Sequence, residues 1–320
     1  MTSSASTAVE LKGIAKSFDG KPAVRPLDLA IPRGSTYGLL GPNGAGKTTT
    51  IRMMLRIIDP DAGTIHVLGQ PLTQERLSVF GYLPEERGIY RQMRVKRLLS
   101  FFAELKGIPP RESAPRIMRW LERFDLADRA NAKVQELSKG NQQKIQFISA
   151  ILHEPEIMVF DEPFSGLDAI NQQLLKDIIV DLKRAGKTII FSTHIIEHAE
   201  RICDHVCILA RGEKVADGTM RQVKSLQGEN YVGITFDPWT REASELLRNS
   251  PLVQKVSESG ASVEVSLLPD ADPLQLLRHL LDRGIRVRKF EHGEPSLEQI
   301  FLERVGTPID VIAEIEAVHA

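Results

Sequence analysis

A glycine-rich run near the start of the chain constrains its fold more than any other feature. Residues 41–49 read Gly-Pro-Asn-Gly-Ala-Gly-Lys-Thr-Thr and match the pattern G-x-x-x-x-G-K-[ST]. A short apolar stretch, residues 37–40, precedes the run, and residues 50–57 follow it with helical character. A strand, a glycine-rich turn and a helix in this order form a phosphate-binding loop, because backbone N–H groups and the helix N-terminus can face the phosphates.

This loop predicts specific contacts with a nucleoside triphosphate. Lys47 is expected to reach the β- and γ-phosphates and to assist catalysis there, and the Thr48 hydroxyl is expected to hold Mg²⁺. The residues expected around the phosphates are Gly41, Pro42, Asn43, Gly44, Ala45, Gly46, Lys47, Thr48 and Thr49.

Composition narrows the class of protein. The chain has 320 residues, room for about two domains, and its 42% apolar and 26% charged residues are typical of globular proteins. A net charge of −1 argues against a general binder of nucleic acid, so no nucleic-acid partner is expected.

The N-terminal residues lack the features of a signal peptide, and the sequence has no run of 18 apolar residues that could span a bilayer. Cys203 and Cys207 lack a second pair of metal ligands nearby, and together these features predict a cytoplasmic protein with reduced thiols.

The segments around the loop predict a layered domain. Residues 9–34 alternate apolar runs with turn signals and indicate an antiparallel β-layer. Phe18 ends one of these runs, where it could pack in the core or stack on a nucleotide base. Apolar residues at helical spacing then predict a helical subdomain at roughly residues 88–150, within a first domain spanning residues 1–226.

Two later strands end in polar residues. Residues 157–162 are four apolar residues followed by Asp161 and Glu162, and carboxylates at the carboxyl end of a buried strand are typical of metal and catalytic sites. Asp161 is expected to hold Mg²⁺ through water and Glu162 to polarise the attacking water, although a solvent-exposed strand end is the alternative. The strand at residues 187–194 ends in His194, which could be structural or could contact the γ-phosphate.

A helix start between these segments carries a further candidate. Ser138 stands where a predicted helix begins, and it could serve as an N-cap without any other function. A serine and a glycine, Gly140, at a helix start can also bind an anion.

The pattern changes near residue 226. Residues 227–306 predict the order β-α-β-β-α-β followed by a helix, which is a ferredoxin-like α+β domain. A tail at residues 307–320 begins with Thr307 and Pro308, an N-cap followed by proline at the first helical position. The accessory domain carries no apparent catalytic set of side chains.

The motifs taken together resemble those of the ATP-binding cassette (ABC) ATPases, over roughly residues 9–225. Five motifs occur in the order of that family: Gly41–Thr48, Leu137–Asn141, Ile157–Glu162, Ser165–Asp168 and His194. The resemblance implies an α/β P-loop core with a mixed sheet, an antiparallel β-layer and a helical subdomain. It also implies a homodimer that holds two ATP molecules at its interface.

The resemblance assigns further roles. Phe18 takes the position that stacks on adenine, which favours base stacking over core packing. Ser138, Gly140 and Asn141 of one subunit are implied to cover the γ-phosphate bound by Lys47 of the other. Asp168, in the loop behind the acidic strand, completes the set of expected nucleotide contacts.

Two departures from the family pattern bear on function. Lys139 and Asn141 replace a glycine and a glutamine of the usual signature, whereas Ser138 and Gly140 are kept. Glu85 stands where the family usually has glutamine. An ionised glutamate only accepts hydrogen bonds, so Glu85 can hold Mg²⁺ or water, but a switching role for it is in question.

A narrower resemblance concerns the partner. Residues 81–90, the Ser-Lys-Gly signature and the added C-terminal domain are similar to the sodium-extrusion-like ATPases that pair with ABC-2 type permeases. This resemblance implies an exporter subunit that is peripheral on the inner face of the membrane.

The loop from Glu85 to Met93 is the expected docking site for the permease. Ile89, Tyr90 and Met93 are its expected apolar anchors, and arginines lie beside them.

Three other functions of cassette ATPases fit this sequence less well. Ribosome-associated cassette ATPases usually carry two cassettes, whereas this chain has one phosphate loop. DNA-repair relatives insert long coiled coils between the phosphate loop and the signature, and no sustained heptads occur here. A regulatory or translation-associated ATP switch is the main alternative, against which Glu162 and His194 argue.

Overall fold

Strands and helices of the first unit alternate along the chain. The computed structural model describes residues 7–86, 88–225, 230–259, 262–293 and 295–305, and the chain divides into two units, Met1–Asp217 and Gly218–Ala320. The strands that begin in the first unit are β1 (Thr7–Phe18), β2 (Lys21–Pro32), β3 (Thr36–Leu40), β4 (Ala62–Val67), β5 (Gln70–Pro71), β6 (Phe80–Leu83), β7 (Ile157–Asp161), β8 (Thr188–Thr193), β9 (His205–Ala210) and β10 (Glu213–Thr219). Its helices are α1 (Lys47–Met54), α2 (Val95–Leu105), α3 (Pro110–Arg123), α4 (Lys139–Ile151), α5 (Ala169–Arg184) and α6 (Ile196–Ile202).

A central sheet positions the candidate site. Within the described residues its strand order is β10-β9-β3-β8-β7-β6, and β3, β6, β7, β8 and β9 pair in parallel. Strands β3, β7 and β8 are buried along their whole length, as expected for apolar runs covered on both faces. Because parallel strands end at the same edge, Leu40 pairs with Thr193 and Asp161 pairs with Ser192. The phosphate loop, the acidic pair and His194 therefore follow neighbouring strand ends.

An antiparallel layer packs against this sheet, as the sequence predicts. Its strand order is β2-β1-β4-β5, and β1 and β2 are joined by a tight turn at Asp19 and Gly20. Buried side chains of the layer, including Leu11 and Ile31, form one core with Leu39 of β3 and Val159 of β7. This shared core sets the layer over the sheet and brings the β1–β2 hairpin toward the phosphate loop.

The predicted helices of residues 88–150 are present as α2, α3 and α4. Their buried faces carry the apolar stripes read from the sequence, among them Leu98 and Leu121. Phe147 of α4 lies between Phe124 and Phe160 of β7, with ring centroids 5.8 and 4.8 Å away. Aromatic packing of this kind stabilises the contact between the helices and the central sheet.

The second unit has the predicted ferredoxin-like topology. Its elements are α7 (Met220–Ser225), β11 (Tyr231–Phe236), α8 (Arg241–Arg248), β12 (Val253–Ser259), β13 (Ser262–Leu267), α9 (Pro273–Asp282), β14 (Val287–Gly293) and α10 (Leu297–Val305). The strand order is β12-β13-β11-β14, and neighbouring strands pair antiparallel. Its core includes Val232, Leu247, Val265 and Leu280.

Strand β14 begins at Val287, a few residues after the end of α9. The Ile285 N–H is still donated to the Leu280 carbonyl, in the turn between the two elements. The predicted domain boundary between residues 226 and 227 and the tail at residues 307–320 lie outside the described residues. In the part of the chain that the structure describes, no helix has the length and apolarity needed to cross a membrane.

Candidate functional site

The phosphate loop curls between β3 and α1 because glycines permit its backbone path. Gly46 has φ 101°, a left-handed conformation that side chains disfavour. A Cβ on Gly46 would also lie 2.7 Å from the Ala23 carbonyl oxygen of β2, and one on Gly41 would lie 2.4 Å from the Leu209 carbonyl oxygen of β9. Only glycine fits at these two positions, so neighbouring strands shape the loop.

The loop closes on itself through its backbone. The Ala45 N–H is donated to the Pro42 carbonyl at 3.1 Å, while the Ala45 carbonyl accepts the Gly212 N–H at 3.1 Å. Asn43 and Gly44 at the tip are exposed, whereas Ala45 is buried. Thr49 follows in the first turn of α1. The loop thus has a fixed base and an open tip.

Lys47 is buried under the loop. Its Nζ donates to the carbonyl oxygens of Gly41, at 2.6 Å, and Pro42, at 3.2 Å. The same Nζ lies 3.9 Å from Oε1 of Glu162. The cation of Lys47 is thereby held between the loop and the carboxylate of Glu162, which directly follows β7.

Asp161 has the features of a ligand for a hard cation. The hydroxyls of Thr48 and Ser192 both donate to its Oδ1, the former at 3.2 Å. Its Oδ2 is buried and finds no hydrogen-bond partner among the described residues. Burial raises the pKa of the Asp161 carboxyl, and the hydrogen bonds from Ser192 and Thr48 oppose that shift. A buried carboxylate oxygen without a hydrogen-bond partner, next to a threonine hydroxyl, is suited to bind Mg²⁺. This ion prefers oxygen ligands and usually keeps several waters.

Glu162 is held in an unusual backbone conformation at the centre of the site. Its φ is 48°, a left-handed value that is uncommon for a non-glycine residue and that clusters at functional sites. Its N–H is donated to Ser192 Oγ at 3.1 Å, and its Oε1 lies 2.9 Å from His194 Nδ1. Glu162 is buried, whereas the His194 side chain is 41% exposed. The carboxylate therefore lies between Lys47 and His194, while Ser192 holds the backbone N–H of the same residue.

Glu85 joins this cluster electrostatically. It follows β6, the strand next to β7, and is exposed. Partial burial raises the pKa of the Glu85 carboxyl, with further contributions from the charges of Asp161 and Glu162. The charges of Lys47 and His194 act in the opposite direction. No group of three or more metal-ligating His, Cys, Asp or Glu side chains occurs in the described ranges, so a cation here would need oxygen ligands from elsewhere.

Ser138, Gly140, Asn141 and Asp168, which we call the signature group, occupy a separate place in the first unit. Ser138 caps α4, as predicted, and its Oγ accepts the Asn141 N–H at 3.2 Å. A Cβ on Gly140 would lie 3.6 Å from Leu167, next to Asp168. Asp168 caps α5, and its Oδ1 accepts the Asn171 N–H at 2.9 Å. Within the described residues, no hydrogen bond or ion pair joins this signature group to the phosphate loop or the acidic pair.

Phe18 lies at the end of β1 and is 48% exposed, which does not suit a core residue. It pairs with Lys21, the first residue of β2. Two residues further along, Ala23 approaches Gly46 of the phosphate loop. The exposed ring therefore lies on the hairpin that borders the loop.

Sequence reasoning missed Ser192. It lies in β8 directly before Thr193, and it bridges Asp161 at the end of the adjacent strand and Glu162, which follows that strand. The only sequence signal was its position two residues before His194. Its role depends on which strand lies beside β7, and spacing alone does not give that.

Comparisons with known proteins point to one family. The family model for ABC transporters matches residues 24–165, and the model for the C-terminal domain of DrrA1-3-like ATP-binding proteins matches residues 218–305. The chain is 43% identical to YhaQ of Bacillus subtilis, an uncharacterised ABC transporter ATP-binding protein, over 92% of this chain and 97% of that one. It is 36% identical to the Nod factor export ATP-binding protein I of Rhizobium sp. strain N33, over 95% and 98% of the two chains.

A solved structure supports the same assignment. It is described as the ATP-binding subunit of an ABC transporter, and it superposes with a TM-score of 0.64 at 31% identity. The match covers 68% of this chain and 92% of that chain. The chain therefore belongs to the ABC transporter ATP-binding proteins, the family that binds and hydrolyses ATP to power transport.

Proposed function

We propose that this chain is the ATP-hydrolysing subunit of an ABC exporter. The observation that carries the proposal is the convergence of Lys47, Thr48, Asp161, Glu162 and His194 at one edge of the central sheet. The export direction is supported by relatives such as the Nod factor export protein. A non-transport ATP switch, the alternative function, gains no support from these relatives.

The cluster has the parts that hydrolysis requires. Lys47 is placed to exchange the Gly41 and Pro42 carbonyls for phosphate oxygens, whose negative charge it would neutralise. Glu162 is placed to accept a proton from the attacking water, or to orient that water, and His194 holds the carboxylate. Thr48 and Asp161 would hold Mg²⁺, which offsets phosphate charge when bound. Glu85 is a further candidate ligand for that ion.

The signature group is proposed to act in a second copy of the chain. Ser138, Gly140, Asn141 and Asp168 share one surface region, and among the described residues no hydrogen bond or ion pair joins them to the phosphate loop. A homodimer that holds two ATP molecules would bring them to the γ-phosphate of the partner site. The start of α4 carries the positive end of the helix dipole, which suits an anion. Phe18 is proposed to stack on the adenine.

The proposed partner is an ABC-2 type membrane permease, which would place this chain on the inner face of the membrane. The docking loop spans Glu85 to Met93. One of its expected apolar anchors needs correction: Ile89 is buried, 9% exposed, and packs inside the unit. Tyr90, at 56% exposed, and the partly exposed Met93 are the anchors that remain available to a partner.

Substitution of Lys47 tests the nucleotide assignment. Lys47→Ala is expected to lose most ATP affinity, measured by calorimetry, because it removes the cation under the phosphates. The matched control is Lys21→Ala, which removes an exposed lysine from the nearby hairpin. Unchanged ATP binding by folded Lys47→Ala would contradict the proposed function.

A further inference from the structure

The hydroxyl of Ser192 links Asp161, which ends β7, to Glu162, which follows it. Its Oγ donates a hydrogen bond to Asp161 Oδ1 and accepts the backbone N–H of Glu162 at 3.1 Å. The Ser192 side chain is 0% exposed, so solvent does not reach either bond. Because a hydroxyl has a single proton, donation to the carboxylate leaves only the lone pairs of Oγ for the Glu162 N–H. The direction of both bonds is therefore fixed.

The pairing of β7 with β8 places this hydroxyl. Asp161 and Ser192 are register partners on the two parallel strands, and residues at paired positions direct their side chains to the same face of a sheet. The chain turns directly after β7, where the Glu162 carbonyl accepts the Ser165 N–H at 3.2 Å. The Ser192 hydroxyl thus reaches the first peptide group beyond the strand.

The backbone of Glu162 needs such a contact because its conformation is unfavourable. Its φ of 48° lies in the left-handed region, which disfavours every residue with a Cβ. Conformations of this kind persist only where the surroundings hold them in place. If the buried N–H of Glu162 lost its acceptor, the backbone could relax toward the right-handed region. That rotation would turn the Cα–Cβ bond and move the carboxylate.

The side chain of Glu162 has a separate contact. His194 lies two residues after Ser192, and its Nδ1 is 2.9 Å from Glu162 Oε1. The imidazole is 41% exposed, whereas Ser192 is buried. The end of β8 therefore contacts Glu162 at two points: Ser192 holds the backbone, and His194 meets the carboxylate. The second contact depends on the first, because the backbone sets where the carboxylate can reach.

We propose that Ser192 is a positioning residue for ATP hydrolysis, whose hydroxyl holds the backbone of Glu162 so that its carboxylate faces the attacking water. Ser192 needs no contact with ATP, because it acts through Glu162. The inference rests on the proposed function, in which Glu162 orients that water or accepts its proton. It adds the group that keeps Glu162 in place.

A role through Asp161, the proposed magnesium ligand, is the competing explanation. Thr48 also donates to Asp161 Oδ1, at 3.2 Å, so this oxygen keeps one hydrogen bond when Ser192 is changed. Loss of the Ser192 hydroxyl is therefore expected to affect Glu162 more than Asp161. The two routes differ in a measurable way, because a route through Asp161 would change the magnesium dependence of hydrolysis.

The first measurement compares hydrolysis with nucleotide binding in the full chain. Ser192→Ala is expected to lower kcat by about tenfold or more, with little change in the Kd for ATP or in the Mg²⁺ concentration for half-maximal hydrolysis. Because hydrolysis is slow, the ATP-bound dimer should persist in size-exclusion chromatography, which a variant that is merely unstable would not show.

The matched control removes the same kind of hydrogen bond from the other end of β8. Thr188 is 3% exposed, and its Oγ1 accepts the Gly34 N–H at 2.9 Å. Thr188→Val removes this hydroxyl but keeps the shape of the side chain. Its stability in urea should fall as that of Ser192→Ala does, while its kcat should match that of the wild type.

A second pair of variants separates the hydroxyl from packing. Ser192→Thr and Ser192→Val introduce side chains of the same shape into the same buried position, so they share any steric strain. Only the threonine has a hydroxyl, and Ser192→Thr should therefore hydrolyse ATP about tenfold faster than Ser192→Val.

A double variant tests whether Ser192 acts through Glu162. Ser192→Ala/Glu162→Gln should turn over ATP no more slowly than Glu162→Gln alone, because residues that act as a unit are not additive. Single-turnover assays with radiolabelled ATP can measure both slow rates. A further loss in the double variant as large as that of Ser192→Ala alone would overturn the inference.

The remaining outcomes separate the inference from the proposed function. Equal rates for Ser192→Thr and Ser192→Val, or a wild-type kcat for Ser192→Ala, would overturn the inference and leave the proposed function standing. A higher Mg²⁺ requirement of Ser192→Ala would overturn it in favour of the route through Asp161. Wild-type turnover by Glu162→Gln would remove the proposed role of Glu162, and the inference with it.

Discussion

The Nδ1 atom of His194 lies 2.9 Å from Oε1 of Glu162, although the two residues are 32 positions apart in the sequence. The contact arises because β7 and β8 are parallel neighbours, with Asp161 paired to Ser192. Each residue directly follows one of these strand ends. The imidazole is therefore placed to orient the carboxylate rather than to act alone.

His194→Ala is expected to bind ATP with little change and to lower kcat by about 10²-fold, because Glu162 loses the group that orients it. ATP affinity by calorimetry and phosphate release at saturating ATP are the two measurements. His292→Ala, which removes an exposed histidine of the second unit, is the control. A kcat of His194→Ala equal to that of the wild type would exclude this orienting role.

The carboxylate of Glu85 is expected to weaken ATP binding in the absence of metal. Like charges on Asp161 and Glu162 contribute to its raised pKa, so this region already carries excess negative charge. Glu85→Gln removes one charge with little change in shape, and it should tighten ATP binding in EDTA by about fivefold. Calorimetry in EDTA measures this, with exposed Glu86→Gln as the control. Weaker binding by Glu85→Gln would contradict the argument.

Ser138 is expected to have two separable roles. Ser138→Ala removes the N-cap of α4 and should cost about 1 kcal/mol of stability in urea unfolding. Ser138→Asp keeps a capping oxygen, so its stability should stay close to that of the wild type, but its charge would repel a phosphate. The aspartate variant should therefore fail to dimerise with ATP. Normal ATP-dependent dimers of Ser138→Asp would remove Ser138 from the phosphate contact.

His198 is expected to make the first unit less stable in acid. Its imidazole packs 4.4 Å from the Phe164 ring, and burial, with the charge of Lys176, lowers its pKa to about 4 from 6.5. Between these two values the unfolded chain binds a proton that the folded chain does not. Stability should therefore fall as pH falls through this range, by up to about 1.4 kcal/mol per pH unit from this group.

His198→Leu tests this pH dependence, because it cannot take up the proton. The difference in unfolding free energy between pH 7 and pH 5 should be smaller than in the wild type by up to about 2 kcal/mol. Trp239→Phe in every variant leaves Trp120 to report on the first unit by fluorescence in urea. An identical pH difference with and without His198 would refute the assignment.

Much of this fold and site could be predicted from the sequence, because the spacing within each motif indicates the strand, turn or helix on which its residues lie. The phosphate loop, Asp161, Glu162 and the Ser138 cap could be assigned from local pattern, since strand, turn and helix follow each other directly. Ser192 could not be assigned in this way, because its role depends on the pairing of β7 with β8. The burial of Ile89 beside exposed Tyr90 was also not visible, because adjacent loop residues show no period that reveals which one faces the core.

The composite site is the central claim, and Glu162→Gln tests it most directly. This variant keeps the shape of the side chain but loses its basicity, so ATP should bind and persist. In size-exclusion chromatography with ATP and Mg²⁺, Glu162→Gln should elute as a dimer and the double variant Glu162→Gln/Ser138→Asp as a monomer. Monomeric Glu162→Gln with normal turnover would contradict both the role of Glu162 and the shared site.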